Sequence, residues 1–74
     1  MQKYQKIIHD LRIDRDLKQE DIAKILKVSK QAYGHYENGK RQLPIEHLIT
    51  LTMFYNVSAD YILGLPEGLP YPKR

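Results

Sequence analysis

The 74 residues include no cysteine and no tryptophan, a single phenylalanine, and only four glycines and four prolines. Without cysteine there can be neither a disulfide framework nor a thiolate metal site. A chain this short sits near the lower limit for an independent core, so apolar packing must hold it, helped by a partner subunit where one exists. No apolar run approaches the length of a membrane span. The N-terminal MQKYQKIIHD carries charge where a signal peptide needs an apolar centre, so a cytoplasmic chain is expected. No stretch alternates with period two, and no strand is expected.

Chemistry is lacking as well. His9, His35 and His47 lie far apart with no thiol or acid to complete a metal set, so neither metal nor cofactor is expected. Asp10, Asp14 and Asp16 read as a solvated helix end, and no Ser–His–Asp grouping has supporting context. No enzyme active site is expected. The six tyrosines read as core and interface material rather than a base-stacking platform.

What is present is helical periodicity. Tyr4, Ile7, Ile8 and Leu11 form the apolar stripe of a first helix, interrupted by the polar Asp14–Arg15–Asp16. Ile22, Ala23 and Leu26 mark a short second helix. Tyr33 and Tyr36 mark a third that stops at Asn38–Gly39. Pro44 opens a fourth, with Leu48, Leu51, Thr52 and Tyr55 inward, ended by Asn56. Ser58 caps a fifth that runs to Leu63 and closes at Gly64. Leu17–Lys18–Ile22, Val28–Ser29–Tyr33 and Val57–Ser58–Ile62 repeat one pattern, an apolar residue, a cap, and an apolar residue four beyond the cap, the pattern of a hydrophobic staple. Ser29 and Ser58 can accept an orphan backbone N–H; Lys18 cannot, so its helix starts on packing and on Glu20 and Asp21 near its positive end. The class is all-α, with a helical domain over residues 1–65 and an irregular Pro/Gly-rich tail over 66–74.

The net charge of +3 is unevenly spread. Residues 18–41 carry +3, residues 1–17 carry +1 and residues 42–74 carry −1. The excess lies beside GHYENGKR, residues 34–41, whose glycine spacing and lysine nearly spell a nucleotide-binding phosphate loop. That loop needs a preceding strand, a following helix, and Ser or Thr after the lysine. Here residue 41 is arginine, the stretch lies within a helix, and no parallel sheet is available, so the nucleotide reading is rejected.

The stretch Gln19–Tyr36 has the dimensions of a helix-turn-helix, with Ala23 where the two helices cross. With the LR at 11–12, the block LKQEDIAKILKVSKQAYGHYENGKR at 17–41 and NVSADYILGL at 56–65, the chain resembles the lambda-repressor-like, Cro-type helix-turn-helix regulators, the xenobiotic-response-element family. The resemblance runs from about Ile7 to Leu65. It implies a five-helix domain whose third helix enters the DNA major groove, usually as a dimer on a two-fold site, and mostly in repressors of bacteria and phages.

With Tyr33, Tyr36 and Glu37 inward, helical spacing turns Lys30, Gln31, Gly34, His35 and Asn38 outward. Lys30 and Gln31 occupy the first turn, where lysine suits guanine acceptors and glutamine pairs with adenine. His35 can donate to a base or a phosphate, and Gly34, lacking a side chain, either lets the backbone near the groove floor or is a tolerated surface glycine. Gln19 opens the second helix, where the resemblance implies a phosphate contact. Ser29, Asn38, Lys40 and Arg41 are the other candidate phosphate contacts, and minor-groove reach is an alternative for Arg41. The resemblance also implies that Arg12 and Glu37 form a part-buried, structural pair.

Three positions depart from the family pattern. Lys27 stands where the turn usually has glycine, Tyr33 is bulkier than the usual aliphatic residue and should send its hydroxyl to a surface or partner, and Gly34 weakens the third helix by about 1 kcal/mol relative to alanine. A homodimer on double-stranded DNA is expected, with Tyr55, Val57, Tyr61, Ile62 and Leu65 as its candidate interface unless they complete the monomer core. The rival class is an antitoxin-like or accessory module that binds another protein through the C-terminal helix and YILGLPEGLPYP.

Overall fold

The computed structural model describes residues 4–65, and they fold into five α-helices: α1 Tyr4–Asp14, α2 Gln19–Leu26, α3 Lys30–Asn38, α4 Ile45–Tyr55 and α5 Ala59–Leu63. Among the described residues there is no strand. The all-α expectation holds, and the tail at 66–74 lies outside the described residues. α2 packs on α3, α1 on α3, and α5 on both α1 and α4. Ile8, Leu11, Ile22, Ala23, Leu26, Tyr33, Tyr36, Leu51, Tyr55 and Ile62 form the core. These are the residues that periodicity turns inward, with the small Ala23 between larger neighbours on α2.

One corner motif is used three times. α1, α2 and α4 each run into a left-handed residue, Asp16 (φ 55°), Lys27 (φ 60°) and Asn56 (φ 57°). The next backbone N–H then reaches back to a carbonyl inside the helix: Leu17 to Arg12 at 3.1 Å, Val28 to Ala23 at 3.0 Å, and Val57 to Thr52 at 3.1 Å. This is the Schellman closure, and its apolar residue packs back on the core. Leu17, Val28 and Val57 are also the apolar residues that open the next helix, so each one ends one helix and staples another. A single partly buried side chain thereby fixes the angle of each corner. None of the three left-handed positions is glycine. For Lys27 this costs roughly 1 kcal/mol or more, since only its backbone, not its side chain, profits from the turn.

The helix starts differ by residue chemistry. Ser29 Oγ accepts from Ala32 N at 3.0 Å and Ser58 Oγ from Tyr61 N at 3.0 Å. Lys18 has no acceptor, and its backbone N–H donates instead to Asp21 Oδ2 at 2.8 Å, which supplies the acidic half of a capping box. Pro44 stands at the N-cap itself, in extended conformation (φ −60°, ψ 149°), one place earlier than the first-turn position expected. Its missing N–H costs nothing there.

Two sequence readings need correction. Arg15 is more than part of a solvated interruption. Its Nη2 donates to Tyr55 O at 3.1 Å and its guanidinium lies 4.9 Å from the Tyr55 ring centroid, so it sets a cation at the end of α4 and on an aromatic face. Tyr33 turns its hydroxyl away from the surface: the residue is 0% exposed, and the hydroxyl faces the Glu37 carboxylate. The core accommodates the ring edge-on to Tyr36, with centroids 6.5 Å apart.

The Tyr55 hydroxyl, by contrast, is buried without a partner. Burial, with the Glu37 charge adding to it, pushes this hydroxyl from 10.0 up to about 12. Tyr55→Phe keeps the ring and the Arg15 contact while removing an unsatisfied group. It is expected to raise stability by about 1 kcal/mol in a denaturant titration. Unfolded Tyr55 releases its proton near pH 10 and the folded residue holds it to about pH 12, so its share of stability falls as pH rises through that window. The variant should lose correspondingly less stability there; equal alkaline losses would contradict the assignment.

Candidate nucleic-acid interface

The recognition surface is built on one buried ion pair. Arg12, on α1, is the only charged residue in the buried class among the described residues. Its Nε donates to Glu37 Oε2 at 2.7 Å and its Nη2 to Glu37 Oε1 at 3.1 Å, a two-pronged contact that only guanidinium geometry supplies. Its Nη1 donates to Leu17 O at 2.9 Å, and Gln19 Nε2 donates to Glu37 Oε1 at 3.2 Å. Four segments (α1, the first corner, α2 and α3) thus converge on the Arg12–Glu37 pair. Burial alone would push the Glu37 carboxyl up, but the hydrogen bonds and charge of Arg12, with the Gln19 bond, outweigh it and hold it below its ordinary range.

Gln19 bears directly on Gly34. A Cβ built on Gly34 would lie 3.4 Å from Gln19 Oε1, with no other contact closer than the same side chain's carbon at 4.0 Å. The glycine is helical, so it serves neither a turn nor a positive φ. A methyl at this position would rest in ordinary van der Waals contact with the Gln19 amide, so space alone does not require the glycine.

The outward face of α3 is open. Lys30 and Gln31 are exposed at its first turn, and His35 is half-buried one turn on. Ser29, Gln31, Ala32, His35 and Arg41 line one shallow groove of about 290 Å³. Ser29 Oγ accepts one bond in capping α3, and its hydroxyl hydrogen is left to donate to a ligand. Past α3, Gly39 turns left-handed (φ 83°) and Arg41 N donates back to His35 O at 3.2 Å, which brings Arg41 alongside the helix. Asn38 Oδ1 accepts from Lys40 N at 3.0 Å, leaving the Asn38 amide nitrogen outward. Lys40 and Arg41 themselves are exposed. Gln31, His35 and Arg41 therefore share one surface, with Lys30 at its start and Lys40 at its end.

A family model described as helix-turn-helix matches residues 8–62. The chain belongs to that family. Among curated relatives of this helix-turn-helix domain, an uncharacterized HTH-type transcriptional regulator, YobD, of Bacillus subtilis (strain 168) is 38% identical over 66 residues, spanning 89% of this chain and 58% of that protein. The cryptic phage CTXphi transcriptional repressor RstR of Vibrio cholerae is 42% identical over 50 residues, 68% of this chain and 45% of the repressor. The crystal structure of a transcriptional regulator from Listeria innocua superposes with a TM-score of 0.83 at 24% identity, covering 95% of this chain and 65% of that one, and it establishes the fold. The chain spans about half the length of the curated relatives it matches. It carries a helix-turn-helix domain of the DNA-binding transcription-regulator type. No helix among the described residues is long and apolar enough to cross a membrane.

The helix-turn-helix core claims part of the dimer surface expected from sequence. Tyr55 and Ile62 are 1% and 0% exposed, so they belong to the monomer core rather than to an interface. Val57 packs against that core as the corner residue before α5. Tyr61 and Leu65 remain exposed. Sequence reasoning missed the Gln19–Glu37 bond, the Arg15–Tyr55 contact, and the Tyr4 hydroxyl, which accepts from Leu43 N at 3.0 Å and ties α1 to the approach to α4. All three join residues at least 18 positions apart, which no local period can signal.

Glu37→Ala is expected to cost ~3–5 kcal/mol, mainly by stranding Arg12, and an unchanged thermal melt would disprove the assignment. Because folding lowers the Glu37 pKa, its contribution is present above the ordinary value of 4.5 and fades as pH falls through the folded value. Acid titration should therefore separate wild type from Glu37→Gln. Gly34→Ala should raise helix stability by up to about 1 kcal/mol, the methyl fitting beside the Gln19 amide without a shift. A loss of stability in a denaturant titration would contradict that fit.

Proposed function

We propose that this chain is a non-enzymatic, cytoplasmic, sequence-specific binder of double-stranded DNA that represses transcription as a homodimer, with residues 1–65 as the binding unit and α3 in the major groove. The observation that carries the reading is the shared groove of Ser29, Gln31, His35 and Arg41, flanked by exposed Lys30 and Lys40, on the stretch that holds the charge excess. Lys30 and Gln31 read base edges from the first turn of α3, where the helix meets the groove floor. His35 donates to a base or phosphate one turn later, and Gly34 keeps the helix backbone unobstructed.

The phosphate contacts fall on either side of these. Gln19, at the first turn of α2, has one amide hydrogen engaged by Glu37 and a second free for a phosphate, beside backbone N–H groups at the helix's positive end. Asn38, Lys40 and Arg41 take the phosphates beyond α3, and the Ser29 hydroxyl adds a donor at its start. Such contacts supply affinity and register, while the base contacts supply selectivity. Repression is the role in the printed name of the Vibrio cholerae relative, and it needs no element beyond occupancy of the site. Exposed Tyr61, Leu63 and Leu65 support a second reading, a module that binds another protein through α5 and the residues that follow.

Selection of bound duplexes from a random library, at low and near-physiological salt, tests the proposal. A two-fold symmetric motif with half-sites about 34–36 Å apart is expected. Enrichment without a motif would reduce the function to phosphate binding, and no retained DNA would favour the protein-binding module. Replacing Lys30 and Gln31 together with alanine should erase the motif while leaving salt-sensitive binding. Lys40→Ala should weaken all sequences alike and lower the salt slope by about one.

A further inference from the structure

The segment from Gly39 to Pro44 joins α3 to α4 and carries Lys40 and Arg41. Its first four residues, Gly39 to Gln42, are all exposed, so packing does little to hold them. Between α1 and the end of α3 lies an open groove of about 510 Å³, lined by Gln5, Lys6, His9, Glu37, Asn38 and Gly39. Gln5 lies against Gly39, its Nε2 3.8 Å from where a Cβ would stand, yet its buried Oε1 has no hydrogen-bond partner. No described residue forms an ion pair with Lys40 or Arg41. The place of these two cations is therefore set by the backbone that carries them.

Three directional bonds fix that backbone. Lys40 N donates to Asn38 Oδ1 at 3.0 Å and Arg41 N to His35 O at 3.2 Å, so both hang on the helix just left behind. Leu43 N donates to the Tyr4 hydroxyl at 3.0 Å, across 39 positions of sequence. This third bond comes from a different element, α1. The Tyr4 ring and the Leu43 side chain both pack against the core, which gives the hydroxyl a firm base. Bonds to α3 alone would leave the loop hinged at one end; the Tyr4 bond closes the other.

We infer that Tyr4 is a positioning residue for the DNA contact: its hydroxyl pins the far end of the loop, so that Lys40 and Arg41 stand in place for the phosphate backbone before a duplex arrives. The inference rests on the DNA-binding reading of those two cations. Without the bond, the loop must be ordered at the moment of binding, and affinity falls with the fraction of chains that hold it in place. One hydrogen bond of ordinary net strength sets that fall at about fivefold. Base selection is unaffected, because Lys30 and Gln31 stand on α3 and the Tyr4 hydroxyl bonds only to the loop.

Tyr4→Phe in the 74-residue chain keeps the ring and deletes the acceptor. Amide hydrogen exchange followed by NMR should show the Leu43 N–H exchanging faster, with the amides of Ile22 and Leu51 and the melting temperature retained. On duplexes selected by the wild type, the variant is expected to bind about fivefold more weakly and to select the same motif. With Lys40 and Arg41 both replaced by alanine, Tyr4→Phe should have no further effect, since the loop then has no cation to place. An undiminished loss in that background would overturn the inference, as would unchanged Leu43 exchange, unchanged affinity, or a melting temperature lowered enough to explain the weaker binding. A wild type that retains no DNA would instead remove the DNA reading, and Leu43 exchange would still decide whether the hydroxyl pins the loop.

Discussion

The Arg12–Glu37 pair is the contact on which the rest of the recognition surface depends. Burying two charges is costly, and the cost is offset only when geometry and remaining hydrogen-bond capacity are nearly saturated. Here the guanidinium meets both carboxylate oxygens, caps the first corner through Leu17 O, and shares the carboxylate with Gln19. The orientation of α3 relative to α1 and α2 is therefore set by directional bonds as well as by greasy packing, which would tolerate small rotations. The proposed presentation of α3 side chains to base edges would gain from that added precision.

The corners perform the same task more cheaply. Leu17, Val28 and Val57 each terminate one helix through a backbone bond and start the next through a side-chain contact. One apolar residue per corner replaces a longer loop, which suits a domain with little core to spend. Left-handed backbone is the cost, borne at Asp16, Lys27 and Asn56, two of them residue types whose short polar side chains tolerate it. Lys27 is the exception, and its charge lies within the basic stretch.

The surface divides by chemistry. The α3 face and the segment after it carry the donors and cations, while the outer face of α4 carries apolar side chains and no cation. A small domain can thus bind a polyanion with one face and an apolar partner with another, without either contact occluding the other. The buried tyrosines show what the arrangement tolerates. The Tyr55 hydroxyl is left without a partner, a loss of about 1–3 kcal/mol that the packing of its ring must exceed.

Helix count, caps, corners and most of the core were legible in the sequence, because each depends on residues within one or two turns of each other. Tyr4, Ile8 and Leu11 announce α1, Ser29 and Ser58 announce their helices, and Ala23 announces a close crossing. Arg12 and Glu37 could be paired only through family resemblance, since no period links positions 25 apart. Tertiary structure alone decided that Gly34 lies beside Gln19, that Arg15 reaches Tyr55, that Tyr55 and Ile62 serve the core, and that Ile45, Ile49 and Met53 do not. Apolar character tells which residues avoid water, but α4 carries it on more than one side, so only tertiary packing, including that of α5, determines which side is covered. Local chemistry determined the elements; long-range packing determined which of their faces were left to act.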